Sequence, residues 1–139
     1  MMMGYTDSGP YSIQPNTSGP PFTVCCDIET DGGGWTIIQR RIDDTNFNEK
    51  WTHYYNGFGI PCKSHWIGLE NMRSLTQQTL VTSQLRIDLT DFGDVKTFAE
   101  YSSFLVGSMK NKCSLYVSGY NQNSTAGDSL VYWIKIYYV

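Results

Sequence analysis

His53 and His65 are the only two histidines in the chain, so a hydrolytic zinc or a serine–histidine pair would have to use one of them. Neither lies in a motif that does such work, because the sequence contains no Gly-x-Ser-x-Gly elbow and no His-Glu-x-x-His helix. Asp27-Ile28-Glu29-Thr30-Asp31-Gly32 imitates the opening of a calcium loop, with alternating carboxylates and a glycine. The bidentate Glu that such a loop needs at its end falls on Ile38, so the segment reads as a solvated strand end and a turn. Gly32-Gly33-Gly34 is not followed by the Gly-Lys-Ser/Thr of a phosphate cradle and reads as part of the same turn. Arg40-Arg41 with Lys50 and Arg73 offers at most a small anion patch against the plainer reading of solvated strand ends. Aromatic faces stack on sugar rings, but the spacing of the tryptophans and tyrosines places most of them in a core. No enzyme chemistry is legible.

The four cysteines Cys25, Cys26, Cys62 and Cys113 form an even set without zinc spacing. Asn16-Thr17-Ser18 and Asn123-Ser124-Thr125 are acceptor triplets for N-linked sugar. Both features suit an exported, disulfide-bonded protein. Met1-Met2-Met3-Gly4-Tyr5-Thr6-Asp7 has neither a basic stretch nor an apolar run, so no signal peptide is read in this chain. A net charge of -3 and a pI near 5.2 supply no basic face for nucleic acid. No window reaches the roughly 18 to 20 apolar residues of a membrane span.

The elements that must position these groups follow from periodicity. The chain opens on an irregular loop rich in Pro and Gly around Tyr11 and Ile13. Residues 22–26 and 35–42 alternate around Asp31-Gly32-Gly33-Gly34 and predict a β-hairpin. Phe47, Trp51, Tyr54 and Phe58 recur at helical spacing, with Asn46 as cap, Glu49 answering it and Gly57 as terminator. A strand at residues 65–67 leads to a second short helix over residues 69–75. Residues 85–89, 95–106 and 115–117 predict three more strands, the first with one wet face. The expected class is α+β, with antiparallel sheet, short helices and no internal repeat. Trp35, Trp51, Trp66 and Phe104 are the expected core aromatics.

The order of motifs resembles the fibrinogen-related domain, the C-terminal globular module of fibrinogen, tenascins, ficolins and invertebrate fibrinogen-related lectins. The resemblance rests on Ser8-Gly9-Pro10-Tyr11-Ser12-Ile13, on Phe22-Thr23-Val24-Cys25-Cys26-Asp27, and above all on Thr30-Asp31-Gly32-Gly33-Gly34-Trp35-Thr36-Ile37. It continues through Trp66-Ile67-Gly68-Leu69-Glu70, Leu85-Arg86-Ile87-Asp88-Leu89, Ala99-Glu100-Tyr101 and Thr125-Ala126-Gly127-Asp128-Ser129-Leu130. It covers about residues 8–130 of what reads as a single partial domain, followed by a divergent tail at 131–139.

The resemblance implies a non-enzymatic, secreted recognition or adhesion module of the lectin or matrix type, used in settings such as innate immunity, with a protein or carbohydrate partner. It also implies that calcium and ligand residues follow the motif ending at Leu130. No Asp or Glu occurs after Asp128, so the chain reads as ending before that subdomain, with no calcium or other cofactor of its own. The alternative is an assembly fragment that self-associates through an open sheet edge, which the alternating tail 131–139 could itself occupy. In the family a cysteine at the position of Cys26 bonds to one further upstream, Cys25 replaces an aromatic, and Cys62 and Cys113 stand where cysteine is not usual. Cys25 and Cys26 face opposite ways on a regular strand, so one can reach Cys62 or Cys113 while the other stays free.

Overall fold

The computed structural model describes residues 6–15, 19–78 and 81–130. Asn16 and the 131–139 tail, both expected to matter, lie outside the described residues. The chain divides into two compact units, Met1–Ser74 and Leu75–Val139, and each is best understood by itself.

The first unit begins with a strand where the sequence predicts an irregular loop. β1 (Gly9–Ile13) pairs antiparallel with β2 (Phe22–Asp27), from Gly9 opposite Cys26 to Ile13 opposite Phe22. Pro10 does not prevent this, because β1 is an edge strand and the missing N–H costs no ladder bond on its open side. β3 (Trp35–Ile37) completes the sheet in the order β1-β2-β3. The predicted hairpin is therefore present, but its second strand stops early: the Ile38 carbonyl turns to accept the Ile67 N–H at 3.0 Å. β4 (Gln39–Arg40) then joins a second small sheet with β5 (Phe58–Gly59) and β6 (His65–Trp66), in the order β4-β6-β5.

The helix between them is shorter than predicted. α1 spans Trp51–Asn56, with Lys50 in the capping position and no side-chain cap. Asn46 instead accepts the Asn48 N–H at 2.9 Å in a local turn. Gly57 ends the helix in a conformation with φ of 96°, its N–H bonded to the His53 carbonyl. Phe47 and Phe58 consequently lie outside the helix, and their apparent helical spacing has a tertiary cause. Phe58 packs edge-on against Phe47 and Tyr54, with ring centroids at 5.0 and 5.1 Å, and Tyr54 meets Trp66 at 5.4 Å. Trp51 opens α1 and is 45% exposed, which corrects its assignment to the core: four-residue spacing from Phe47 orients it inward only if the helix already runs there. Among the described residues, Val24, Cys25, Ile67 and Met72 are the buried apolar side chains of this unit. α2 (Leu69–Thr76) follows, close to its predicted span.

The second unit is built on one antiparallel sheet. β7 (Leu85–Thr90), β8 (Lys96–Val106) and β9 (Leu115–Tyr120) lie in the order β7-β8-β9. Ala99 and Tyr101 are buried on one face of β8, then Phe104 and Val106 on the other. Phe104 is 8% exposed, whereas Trp35 and Trp66 are only half-buried. The change of face falls beside Gly119, which has φ of 72° and leaves no room for a Cβ against the Ser102 side chain.

Candidate functional site

The carboxylate turn and the histidines of the first unit are committed to its fold. Asp27 Oδ1 accepts the N–H groups of Glu29 and Thr30, both at 2.9 Å, and its Oδ2 accepts the Thr30 hydroxyl at 2.6 Å. The Thr30 hydroxyl, backed by its N–H, holds this carboxyl below its ordinary value. Trp35 donates its indole N–H to the Thr30 carbonyl at 3.0 Å, closing the other side of the turn. Gly33 has φ of 79° and would drive a Cβ into the Ile28 carbonyl. The acidic, glycine-rich segment is thus a fastened turn whose Asp27 oxygens are taken up by the turn's own N–H groups and the Thr30 hydroxyl.

The histidines are equally engaged. His65 is 2% exposed, and its ring nitrogens lie 2.9 Å from the Lys63 carbonyl and 3.1 Å from the Ile37 carbonyl. Neither nitrogen presents a lone pair to a substrate. On α1, His53 Nδ1 pairs with Glu49 at 2.5 Å, one helical turn back. Of the basic residues, Arg41 lies over the Phe47 ring at 5.4 Å and Arg73 pairs with Glu70, which also accepts the Tyr55 hydroxyl at 3.0 Å.

Cysteine connectivity, open from sequence, resolves to a Cys25–Cys62 bridge with Cα atoms 5.0 Å apart. Cys26, on the opposite face of β2, is a free, half-buried thiol. Burial pushes this thiol up, so little thiolate is present at neutral pH to attack a disulfide.

In the second unit the segment 125–130 is fastened along β8. The N–H groups of Thr125 and Ala126 reach the Phe98 carbonyl at 3.0 and 2.9 Å. The Tyr120 hydroxyl donates to the Ala126 carbonyl at 2.5 Å, and the Tyr101 hydroxyl to Asp128 Oδ1 at 2.9 Å. Burial, then the Asp128 partner, pushes the Tyr101 hydroxyl up, so it remains a donor. The same Asp128 oxygen accepts the Leu130 N–H at 3.3 Å. Tyr101 and Tyr120 sit opposite one another in the β8–β9 register, ring centroids 5.6 Å apart. The sequence signal for Tyr120 is an aromatic at the strand end shortly before the motif it braces. Among the described residues, no group of three or more His, Cys, Asp and Glu side chains is placed to hold a metal ion.

The family described as fibrinogen beta and gamma chains, C-terminal globular domain, matches residues 1–138. The chain belongs to this fibrinogen C-terminal family. The match runs wider than the motifs at 8–130 and takes in most of the tail. Human fibrinogen-like protein 1 is 47% identical over 131 residues, covering 91% of this chain and 40% of that protein. Fibrinogen C domain-containing protein 1 of Macaca fascicularis is 41% identical over 137 residues, covering 94% of this chain and 31% of that protein. The chain therefore spans less than half the length of these relatives. The fibrinogen-like globe domain of human ANGPTL2 superposes with a TM-score of 0.87 at 36% identity, covering 93% of this chain and 58% of the other. Lamprey fibrin D-dimer, solved with the peptide ligand Gly-His-Arg-Pro-amide, superposes with a TM-score of 0.82 at 38% identity, covering 90% of this chain and 39% of the other. The fibrinogen-like α+β fold is thus established.

Proposed function

We propose that the chain is the scaffold of a non-enzymatic extracellular recognition or adhesion module with a protein or carbohydrate partner, and that it holds neither calcium nor an acetylated ligand by its own residues. The family match over residues 1–138 carries the first part, since fibrinogen-related domains are typically extracellular and generally non-enzymatic. A structural neighbour with a bound peptide supports a partner of that kind. The second part rests on carboxylate supply. Calcium takes about six to eight oxygen ligands, several of them charged. Among the described residues no group of three or more His, Cys, Asp and Glu side chains is placed together as such a site needs, and Asp128 Oδ1 already accepts from Tyr101 and Leu130.

Calorimetric titration with millimolar calcium is expected to give only dilution heat. Immobilised acetylated sugars, and Gly-His-Arg-Pro-amide as a soluble probe, are expected to leave the chain unbound with or without calcium. A saturable one-site calcium isotherm with micromolar affinity, or calcium-dependent retention, would overturn the second part while leaving the family assignment intact.

A second reading, assembly with another copy, is favoured by the outer edge of β7. Among the described residues β7 is hydrogen-bonded to β8 alone, leaving one N–H and C=O row available. Two copies paired antiparallel about Ile87 would set Leu85 opposite Leu89 and Arg86 opposite Asp88, each twice; Arg86 already pairs with Asp88 and Glu100 of its own chain, so the second copy would add a further carboxylate to that cluster. Size-exclusion chromatography with light scattering is expected to show a concentration-dependent dimer that the like-charge variant Asp88→Lys weakens severalfold. A monomer at every concentration excludes this mode.

A further inference from the structure

We propose that Asn123 is an N-glycan acceptor, the amide of a tight turn that the fold leaves unused. The proposal rests on the extracellular reading, because the transfer needs the secretory pathway. After β9 the chain runs Tyr120-Asn121-Gln122-Asn123-Ser124-Thr125, and only Asn123 of its two asparagines has a hydroxyl residue two places on. Their side chains also differ in what they do. Asn121 donates Nδ2 to Glu100 at 2.9 Å and accepts the Asn123 N–H on Oδ1 at 3.0 Å, so its amide is structural. The Asn123 side chain is exposed and takes part in none of the turn's bonds.

The hydroxyl residues set the order of events. In the folded chain Ser124 Oγ accepts the Glu100 N–H and Thr125 Oγ1 the Phe98 N–H, both at 3.0 Å. The Thr125 oxygen is thus engaged with β8 in the folded chain, so the proposed transfer takes place before this segment docks onto the strand. The donor is a lipid-linked oligosaccharide diphosphate. Asn123 Nδ2 forms a bond to the anomeric carbon of the terminal N-acetylhexosamine, the bond from that carbon to the diphosphate oxygen breaks with its electron pair, and the amide nitrogen gives up one proton. Because β7 and β9 are opposite edges of the sheet, a sugar after β9 leaves the β7 edge open.

The full chain should be expressed behind a cleavable leader in a eukaryotic secretory line, and peptides mapped from both medium and cells after enzymatic deglycosylation in heavy-oxygen water. Asn123 is expected to be read as heavy-labelled Asp in most of the protein. The label is expected to vanish at that position in Asn123→Gln and to persist in Thr125→Ser, which keeps the hydroxyl. Thr125→Ala should lose it too, along with the bond to Phe98. Unlabelled Asn123 in wild-type protein from either fraction overturns the proposal. The supplied leader makes this outcome independent of natural export, which is read separately from whether the native protein is found outside the cells that make it.

Discussion

Replacing Trp66 by Ala is expected to lower the unfolding free energy by about 3 to 5 kcal/mol, the usual cost of emptying a large aromatic site. Trp66 is the middle strand's contribution to the β4-β6-β5 sheet, opposite Gln39 on one side and Phe58 on the other. Its ring meets Tyr54 at a centroid distance of 5.4 Å, and its indole N–H donates to the Tyr54 carbonyl at 2.7 Å. That bond fixes α1 against the sheet, so the substitution removes packing and a donor together. Trp66→Phe restores most of the ring but not the N–H, and is expected to cost about 1 to 3 kcal/mol. Against a total stability of roughly 5 to 15 kcal/mol, the Ala variant stands near the folding threshold. Denaturant titration followed by circular dichroism measures both. A loss below about 1 kcal/mol for Trp66→Ala would show that the half-buried ring contributes little beyond shape.

What the sequence disclosed depended on how local each determinant is. The glycine turn before Trp35 was legible because its backbone demand is written in adjacent residues, and α2 was legible because its pattern and its boundaries coincide. β1 was missed since Pro10 and the flanking glycines are loop signals, and only the neighbouring β2 makes an edge position that tolerates them. Residues 35–42 read as one strand although Ile38 leaves the ladder to meet Ile67, a partner distant in sequence. The aromatic spacing from Phe47 to Phe58 imitates a helix that begins only at Trp51, and that imitation is what puts Trp51 inside when spacing alone is read. In β8 the buried positions change parity between Tyr101 and Phe104, which no single alternating template describes. The framework of the candidate site was legible as motifs, yet the bracing of Asp128 by Tyr101 and of Ala126 by Tyr120 depends on strand register. Cysteine pairing was legible only to the point that Cys25 and Cys26 diverge.

Reduction of the Cys25–Cys62 bridge, or Cys62→Ser, is expected to destabilise the first unit by roughly 3 to 4 kcal/mol. The bridge joins positions 37 residues apart, and the chain-entropy relation for a loop of that length gives about that value. Cys25 is 3% exposed, so its released thiol remains in a packed site where solvation offsets nothing. Cys26 cannot take over, because it faces the other side of β2, and its raised thiol disfavours exchange at neutral pH. The oxidised wild type should therefore unfold at a clearly higher denaturant concentration than the reduced protein, while the Cys62→Ser variant should be indifferent to reductant. Cys62 also carries φ of 67°, a left-handed conformation that disfavours side chains by about 1 kcal/mol or more. Cys62→Gly loses the bridge but releases that strain, and is expected to be about 1 kcal/mol more stable than Cys62→Ser. Equal midpoints for oxidised and reduced wild type would mean that the hydrophobic contacts around Val24 and Met72 already hold β2 in place without a covalent tie.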